Sequence, residues 1–361
     1  MNGSGAHMTK PKGALLVGSV PLTSREEVFR TVSSVLPGRL HSIPDGETGE
    51  RQSFVWWQAA AFKDYPDISF AKTFDKDTLL LSDAALDNTL AKIERKGGIK
   101  TGYDDHALAS YKSFIELREE GVIPKDVKFQ VCLPTPLNAL MMITPAYRVR
   151  LEPLYTAALL KALDNVQSTI PADDLVIQWD CAREFALLEG LEDPILTPGF
   201  DESMAEREGA ISARIASLVN AVHPDVEVGV HCCYGDSKHT HFIEPKDLSI
   251  AVSLVNLIAQ NVSRPINYIH MPVPKDIDSQ PYLAPLSTLD HLLQQQRTKV
   301  YLGVVHAEDS EGTQARIETA SELLGKMGVN FGLSTECGLG RTPGDQIPGI
   351  LKLMHDSTGL L

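Results

Sequence analysis

Residues 226–233 read VEVGVHCC, an apolar, β-rich run that ends on a His-x-Cys pair, His231 and Cys233. Side chains two apart on a strand share a face, and imidazole with thiolate favours zinc over magnesium or calcium. His270 in INYIHMP and Cys337 in NFGLSTEC end two further runs of this kind, so four candidate ligands come from three strand ends. Each alone has a plain reading, since a free cysteine is often only a small buried residue and an isolated histidine is often hydrogen-bonded core. Their recurrence at the same end of several runs makes zinc the better account. Cys232 points to the opposite face and reads as packing, whereas Cys132 and Cys181 could line a pocket without touching metal.

The other runs also end in chemistry: Ser19 after GALLVG, Asp45 and Glu47 in PDGE, Asp180 in VIQWD, His306 in GVVH and Glu336 beside Cys337. His306 and Asp180 are the candidate catalytic groups. An imidazole with an ordinary pKa of roughly 6.5 suits proton transfer at neutral pH, and Glu308 or Asp309 could orient the His306 ring. Ser19, Asp45, Glu47, Asp180 and Arg341 form the candidate substrate-binding set. Arg341 closes GLGR (338–341), where Gly338 and Gly340 could expose N–H groups to an anion, although a turn that closes the fold is the simpler role. HTH (239–241) reads as a loop near the site.

These residues need elements that bring them to one place. Eight runs read as strands: 13–19, 39–47, 127–134, 174–180, 226–232, 266–272, 299–306 and 330–337. Most are continuously apolar, as strands buried on both faces should be. Amphipathic stretches at 25–36, 201–222, 245–260 and 311–328 alternate with them. The pattern predicts an α/β fold, a (β/α)8 TIM barrel, with chemistry at the C-terminal strand ends. Residues 13–361 then form a single barrel. Residues 48–126, too long for a simple loop, are expected as a helical insertion over the mouth. Residues 1–12 read as a tag or loose tail, with Met8 as an original start.

The 361 residues carry 47 acidic and 33 basic side chains, a formal net charge of −14, which argues against a nucleic-acid partner. No apolar run is long enough to span a membrane. Without an apolar leader the expected location is the cytoplasm. Five cysteines, an odd number in a long chain, read as free, metal-bound or reactive rather than as a disulfide framework.

The chain resembles the cobalamin-independent methionine synthase family, specifically its catalytic barrel. The resemblance covers most of the chain and rests on VGSVPLTSREEVFR (17–30), DGETGERQSFVWW (45–57), VIQWDCARE (176–184), HCCYGD (231–236) and ECGLGR (336–341). It implies that His231, Cys233 and Cys337 are zinc ligands. The family's fourth ligand is a Glu after strand 6, where this chain has His270. Ser19, Glu47 and Asp180 match positions that hold an amino-acid substrate, and His306 matches a proton-donating histidine. A folate-type methyl donor is implied too. The family's folate-stacking Trp after strand 3 has no counterpart in 132–142, and Trp56 and Trp57 read as scaffold.

Two thiolates and two imidazoles around Zn²⁺ would sum to zero charge. Such a zinc would hold a substrate thiol as thiolate but leave it less nucleophilic, which suits a more reactive electrophile. The leading expectation is a zinc-dependent transferase, a methyltransferase or other S-alkyltransferase, acting on a small-molecule thiol or amino-acid-like substrate. A zinc lyase or hydrolase using the same site is the alternative. A purely structural zinc is the third reading, against which stand the convergent carboxylates at the same rim.

Overall fold

The computed structural model describes residues 10–65, 68, 82–143, 145–190, 204–235, 240–289 and 295–361. Eight parallel strands appear where the apolar runs predict them: β1 (Ala14–Leu15), β2 (Ser42–Pro44), β3 (Lys128–Pro134), β4 (Leu175–Cys181), β5 (Glu227–Cys232), β6 (Tyr268–Pro272), β7 (Lys299–Val305) and β8 (Phe331–Thr335). Consecutive strands pair from β2 to β8, and β8 pairs with β1. A parallel bridge between Ala14 and Leu40 brings β1 against the start of the second run. This is the (β/α)8 barrel.

The helices follow from local signals. Ser24 caps α1 (Arg25–Val35) by accepting from the Glu27 N–H, and Val28, Phe29 and Val32 bury its inner face. α2 (Asp83–Arg95) and α3 (Tyr103–Glu119) come from the 48–126 stretch, and α3 packs against both α1 and α5 (Pro145–Thr169). A short helix, α4 (Pro136–Leu140), precedes α5. Before α2 the same stretch forms two 3-10 turns, Gly49–Ser53 and Trp56–Phe62. Residues 66, 67 and 69–81 of the expected insertion, and 201–203 of an expected helix, lie outside the described residues. Residues 10–12, expected in the loose tail, are instead held by the body: Lys12 N–H donates to Phe331 O at 2.8 Å, and Gly359 N–H donates to Pro11 O at 2.7 Å. No helix among the described residues is long and apolar enough to cross a membrane.

Register does the positioning. Asp180 is level with His231 across β4 and β5, and His231 is level with His270 across β5 and β6. Lower in the barrel, Tyr268 and Tyr301 meet edge to face, 5.8 Å between centroids. Room for them comes from Gly229 and Gly332, where an added Cβ would lie 2.1 Å and 2.4 Å from the nearest atoms of those rings. Above them, the Gln178 amide donates to Val17 O (2.5 Å) and Asp180 Oδ1 (2.7 Å) and accepts from the Tyr268 hydroxyl (2.9 Å). Buried polar groups are tolerable when satisfied in this way.

At the other end of the barrel, Glu227 bridges His41 (2.7 Å) and Lys128 (2.9 Å). Burial opposes its charge, but bonds from His41 and Lys128 outweigh that and lower its pKa to about 2. A carboxylate depressed on folding adds stability that is present above its unfolded pKa and lost as pH falls through the folded value. Glu227→Gln should therefore be less stable than the native protein at pH 7 by about 1–3 kcal/mol. Denaturant melts should show that gap closing between about pH 4.5 and pH 2. A gap independent of pH would refute the linkage.

Candidate metal centre and substrate cavity

His231, Cys233 and Cys337 converge, with one ligand atom from each lying within 4.8 Å of the others. His231 projects from β5, Cys233 follows the strand end, and Cys337 lies just beyond β8. The two Sγ atoms are 3.3 Å apart, and the Gly235 N–H donates to Cys233 Sγ at 3.3 Å. Gly235 takes φ +87°, and an added Cβ there would lie 2.6 Å from the Phe242 ring, so this turn needs glycine. Cys232 is buried on the opposite face, as alternation requires, and Cys132 and Cys181 are buried and free.

His270, the fourth donor that the sequence suggests, lies outside this group of three. Its Nε2 contacts Thr335 O at 2.9 Å, and its Nδ1 lies 2.7 Å from His231 Nδ1. Both ring nitrogens are therefore engaged. Burial pushes the His270 pKa down to about 4, so the ring is neutral. A neutral ring that donates from Nε2 to a carbonyl accepts at Nδ1. His231 must then carry its proton on Nδ1, which leaves the Nε2 lone pair for a metal. Three soft donors with a fixed imidazole tautomer suit zinc, and three protein ligands leave one position for a substrate.

These groups form one wall of a cavity of about 360 Å³, whose lining also includes Ser19, Glu47, Asp180 and Arg341. The GLGR turn lies on Ser19: the Leu339 N–H donates to Ser19 O at 2.7 Å and the Gly340 N–H to Ser19 Oγ at 3.2 Å. A Cβ on Gly338 or Gly340 would stand 2.6 Å or 2.8 Å from Ser19 Oγ, so glycine is required for this approach. Burial raises the Glu47 pKa to about 7, with Arg51 and Arg341 opposing and Asp45 adding to the rise. Burial also raises Asp180, and its neighbour Glu47 raises it further. Two crowded carboxylates, one buried and one half-buried, favour a cationic guest.

Asp45, expected to bind substrate, lies outside this lining. Its carboxylate accepts from Arg51 (2.5 Å), Ser110 (2.5 Å) and the Glu47 N–H (2.9 Å), so it holds the loop that carries Glu47. His306 faces a second cavity, of about 530 Å³, which shares Cys233, Gly235, Cys337 and Gly338 with the first. Its Nε2 contacts Val273 O at 2.8 Å, and its Nδ1 is 4.0 Å from Glu336. Burial lowers the His306 pKa, against the pull of Glu336. Asp309 is ion-paired with Arg316 at 2.5 Å instead of orienting His306.

His241, which the sequence suggests only as a nearby loop residue, belongs to this second cavity. It bridges Glu336 (2.8 Å) and Glu244 (2.9 Å). Burial opposes its charge, but the two carboxylates raise its pKa to about 9. His239 of the same motif lies outside the described residues. Gln178 and the residues Phe54, Trp56, Met141 and Phe242 were also missed. Of these only Trp56, in the adjacent pair Trp56 and Trp57, carries a signal in the sequence.

No family model and no curated protein matches the chain. Among solved structures, one from Listeria monocytogenes, provisionally named a vitamin-B12-independent methionine synthase, is similar over 97% of this chain and 99% of that one, at 14% identity and a TM-score of 0.47. A likeness of that degree assigns no activity, metal or substrate.

Metal analysis should find one zinc per chain, lost in Cys233→Ser and in Cys337→Ser. His270→Phe should keep the stoichiometry but weaken zinc binding by roughly 10–100-fold, the usual cost of removing an orienting partner. Loss of the metal altogether in that variant would make His270 a ligand after all.

Proposed function

We propose that the protein is a zinc-dependent transferase that activates an amino-acid-like thiol for alkyl transfer. The observation that carries this reading is the convergence of His231, Cys233 and Cys337 in the wall of a cavity whose floor holds Glu47, Asp180, Ser19 and Arg341. The motif resemblance to methionine synthases of the cobalamin-independent kind supports it. Zinc held by these three side chains would supply a position at which a substrate sulfur is kept as thiolate at neutral pH.

The chain's own residues do the rest. Glu47 and Asp180 bind the substrate ammonium, whose charge relieves their mutual repulsion and restores both to the ionised form. Ser19 and the Arg341 side chain receive the carboxylate. Arg51 and Asp45 hold the Glu47 loop in place. His306 lines the second cavity, whose lining also includes the cysteine pair, and from there delivers a proton to the departing group.

With cobalt(II) in place of zinc, adding L-homocysteine or L-cysteine should raise a thiolate charge-transfer band. Glu47→Gln should weaken half-saturation by these aminothiols roughly tenfold or more, the worth of a hydrogen bond to a charged group, and should barely affect 2-mercaptoethanol. A spectrum indifferent to every thiol would sink the proposal and turn attention to a lyase, a hydrolase or a structural zinc.

His306→Asn should retain zinc and aminothiol binding, while turnover falls by roughly 10²–10⁴-fold. Unchanged turnover would return His306 to a packing role.

A further inference from the structure

Gln178 is wholly buried and stands two residues before Asp180 on β4, so both side chains leave the same interior face. Its amide makes every bond it can. Nε2 donates to Val17 O at 2.5 Å and to Asp180 Oδ1 at 2.7 Å. Oε1 accepts from the Tyr268 hydroxyl at 2.9 Å and from Gln130 Nε2 at 3.2 Å.

The direction of this amide is forced. A main-chain carbonyl can only accept, so Val17 O must face the NH₂ group. Gln130 is fixed in the same way, because its own NH₂ donates to Leu16 O at 3.0 Å and its Oε1 accepts from Ser42 Oγ at 2.7 Å. A reversed Gln178 would set its oxygen against a carbonyl and a carboxylate at once. Both of its protons are therefore committed, one to each neighbour.

Two consequences meet at the cavity floor. Asp180 has one oxygen occupied from below. Its other oxygen, Oδ2, has no hydrogen-bond partner among the described residues, and Asp180 lines the cavity with Glu47. The second bond reaches Val17, which lies two residues past β1 and two residues before Ser19. β1 and β4 are not neighbours in the sheet, so this link runs through the barrel interior instead of along a strand ladder. One amide thus ties the segment that carries Ser19 to the carboxylate on the far strand.

Resting on the aminothiol reading above, we infer that Gln178 is a positioning residue for the substrate. It holds Asp180 with a single oxygen turned to the ammonium, and it sets the spacing between that oxygen and the Ser19 segment that receives the carboxylate. Gln178 itself touches no substrate atom. Its loss weakens thiols that carry an ammonium and spares those that do not.

The test is a double-mutant cycle on the cobalt(II)-loaded full chain, read as half-saturation of the thiolate charge-transfer band. Gln178→Met keeps the length of the side chain but removes both donors. It should weaken L-homocysteine roughly tenfold, the worth of a hydrogen bond to a charged group, and leave 2-mercaptoethanol within about twofold. In an Asp180→Asn background the same change should cost L-homocysteine less than about threefold, because a residue that acts through Asp180 has nothing left to act on. Gln130→Met disturbs the same buried network without removing a bond to Asp180, and should cost L-homocysteine less than Gln178→Met does. Gln178→Asn keeps a buried amide that is too short to reach Val17 O and Asp180 together, and should repeat the pattern where the methionine variant does not fold. The inference is overturned if both thiols weaken alike, if the loss persists in full beside Asp180→Asn, or if Gln130→Met costs as much. It is also overturned if neither Gln178 variant folds and holds metal, which would make the residue scaffold. A native protein that binds L-homocysteine no better than Gln178→Met does overturns this inference alone, whereas a native protein that binds no thiol overturns the aminothiol reading and this inference with it.

Discussion

Two buried imidazoles facing one another across β5 and β6 govern the chemistry of this site. His231 and His270 are level in the sheet, and their Nδ1 atoms lie 2.7 Å apart. Neither can be charged cheaply there, so the pair must share one proton along the contact. The Thr335 carbonyl decides how, because it takes the other His270 proton. His231 is thereby left with its Nε2 lone pair free of the His270 contact, beside Cys233 and Cys337. A carbonyl on β8 thereby sets the tautomer of a residue on β5, and Cys337 follows two residues after that carbonyl.

Beneath this pair the barrel interior is unusually polar, and that too is imposed by the site. Asp180 is buried and its neighbour Glu47 half-buried, which costs energy unless something answers their charge. Gln178 answers part of it with a bond to Asp180, and is itself held by Val17 O and the Tyr268 hydroxyl. Arg51 answers Asp45, one turn away from Glu47. The remainder is left for a ligand. The floor is therefore strained electrostatically in a way that a cationic guest relieves, which is a common way for a binding site to store its selectivity.

The cysteine pair stands between two cavities, and this divides the work of the site. One side carries the carboxylates, Ser19 and Arg341, and the other carries His306, His241 and Glu336. His241 is held between two carboxylates and stays charged at neutral pH, and Glu336 faces it with one oxygen while the other lies 4.0 Å from His306 Nδ1.

The barrel itself was legible from residues alone. Short, mostly continuous apolar runs alternating with amphipathic stretches read as strands buried on both faces, and in a barrel their polar last residues meet at one rim. The His231, Cys233 and Cys337 group was legible for the same reason, since period-two alternation places His231 and Cys233 on one face. What the sequence could not contain is which way each strand-end side chain is satisfied. His270 looks like a ligand until the Thr335 carbonyl is seen to occupy its far nitrogen, and Asp45 looks like a substrate group until Arg51 and Ser110 are seen to consume its oxygens. His306 ends its strand as predicted but opens into a neighbouring cavity. Residue type and spacing determine what a side chain is able to do and which face it leaves from. Many of its partners come from distant segments, 33 positions away for His306 and Val273 and 65 for His270 and Thr335, and only tertiary packing decides which of its lone pairs and protons remain for a ligand.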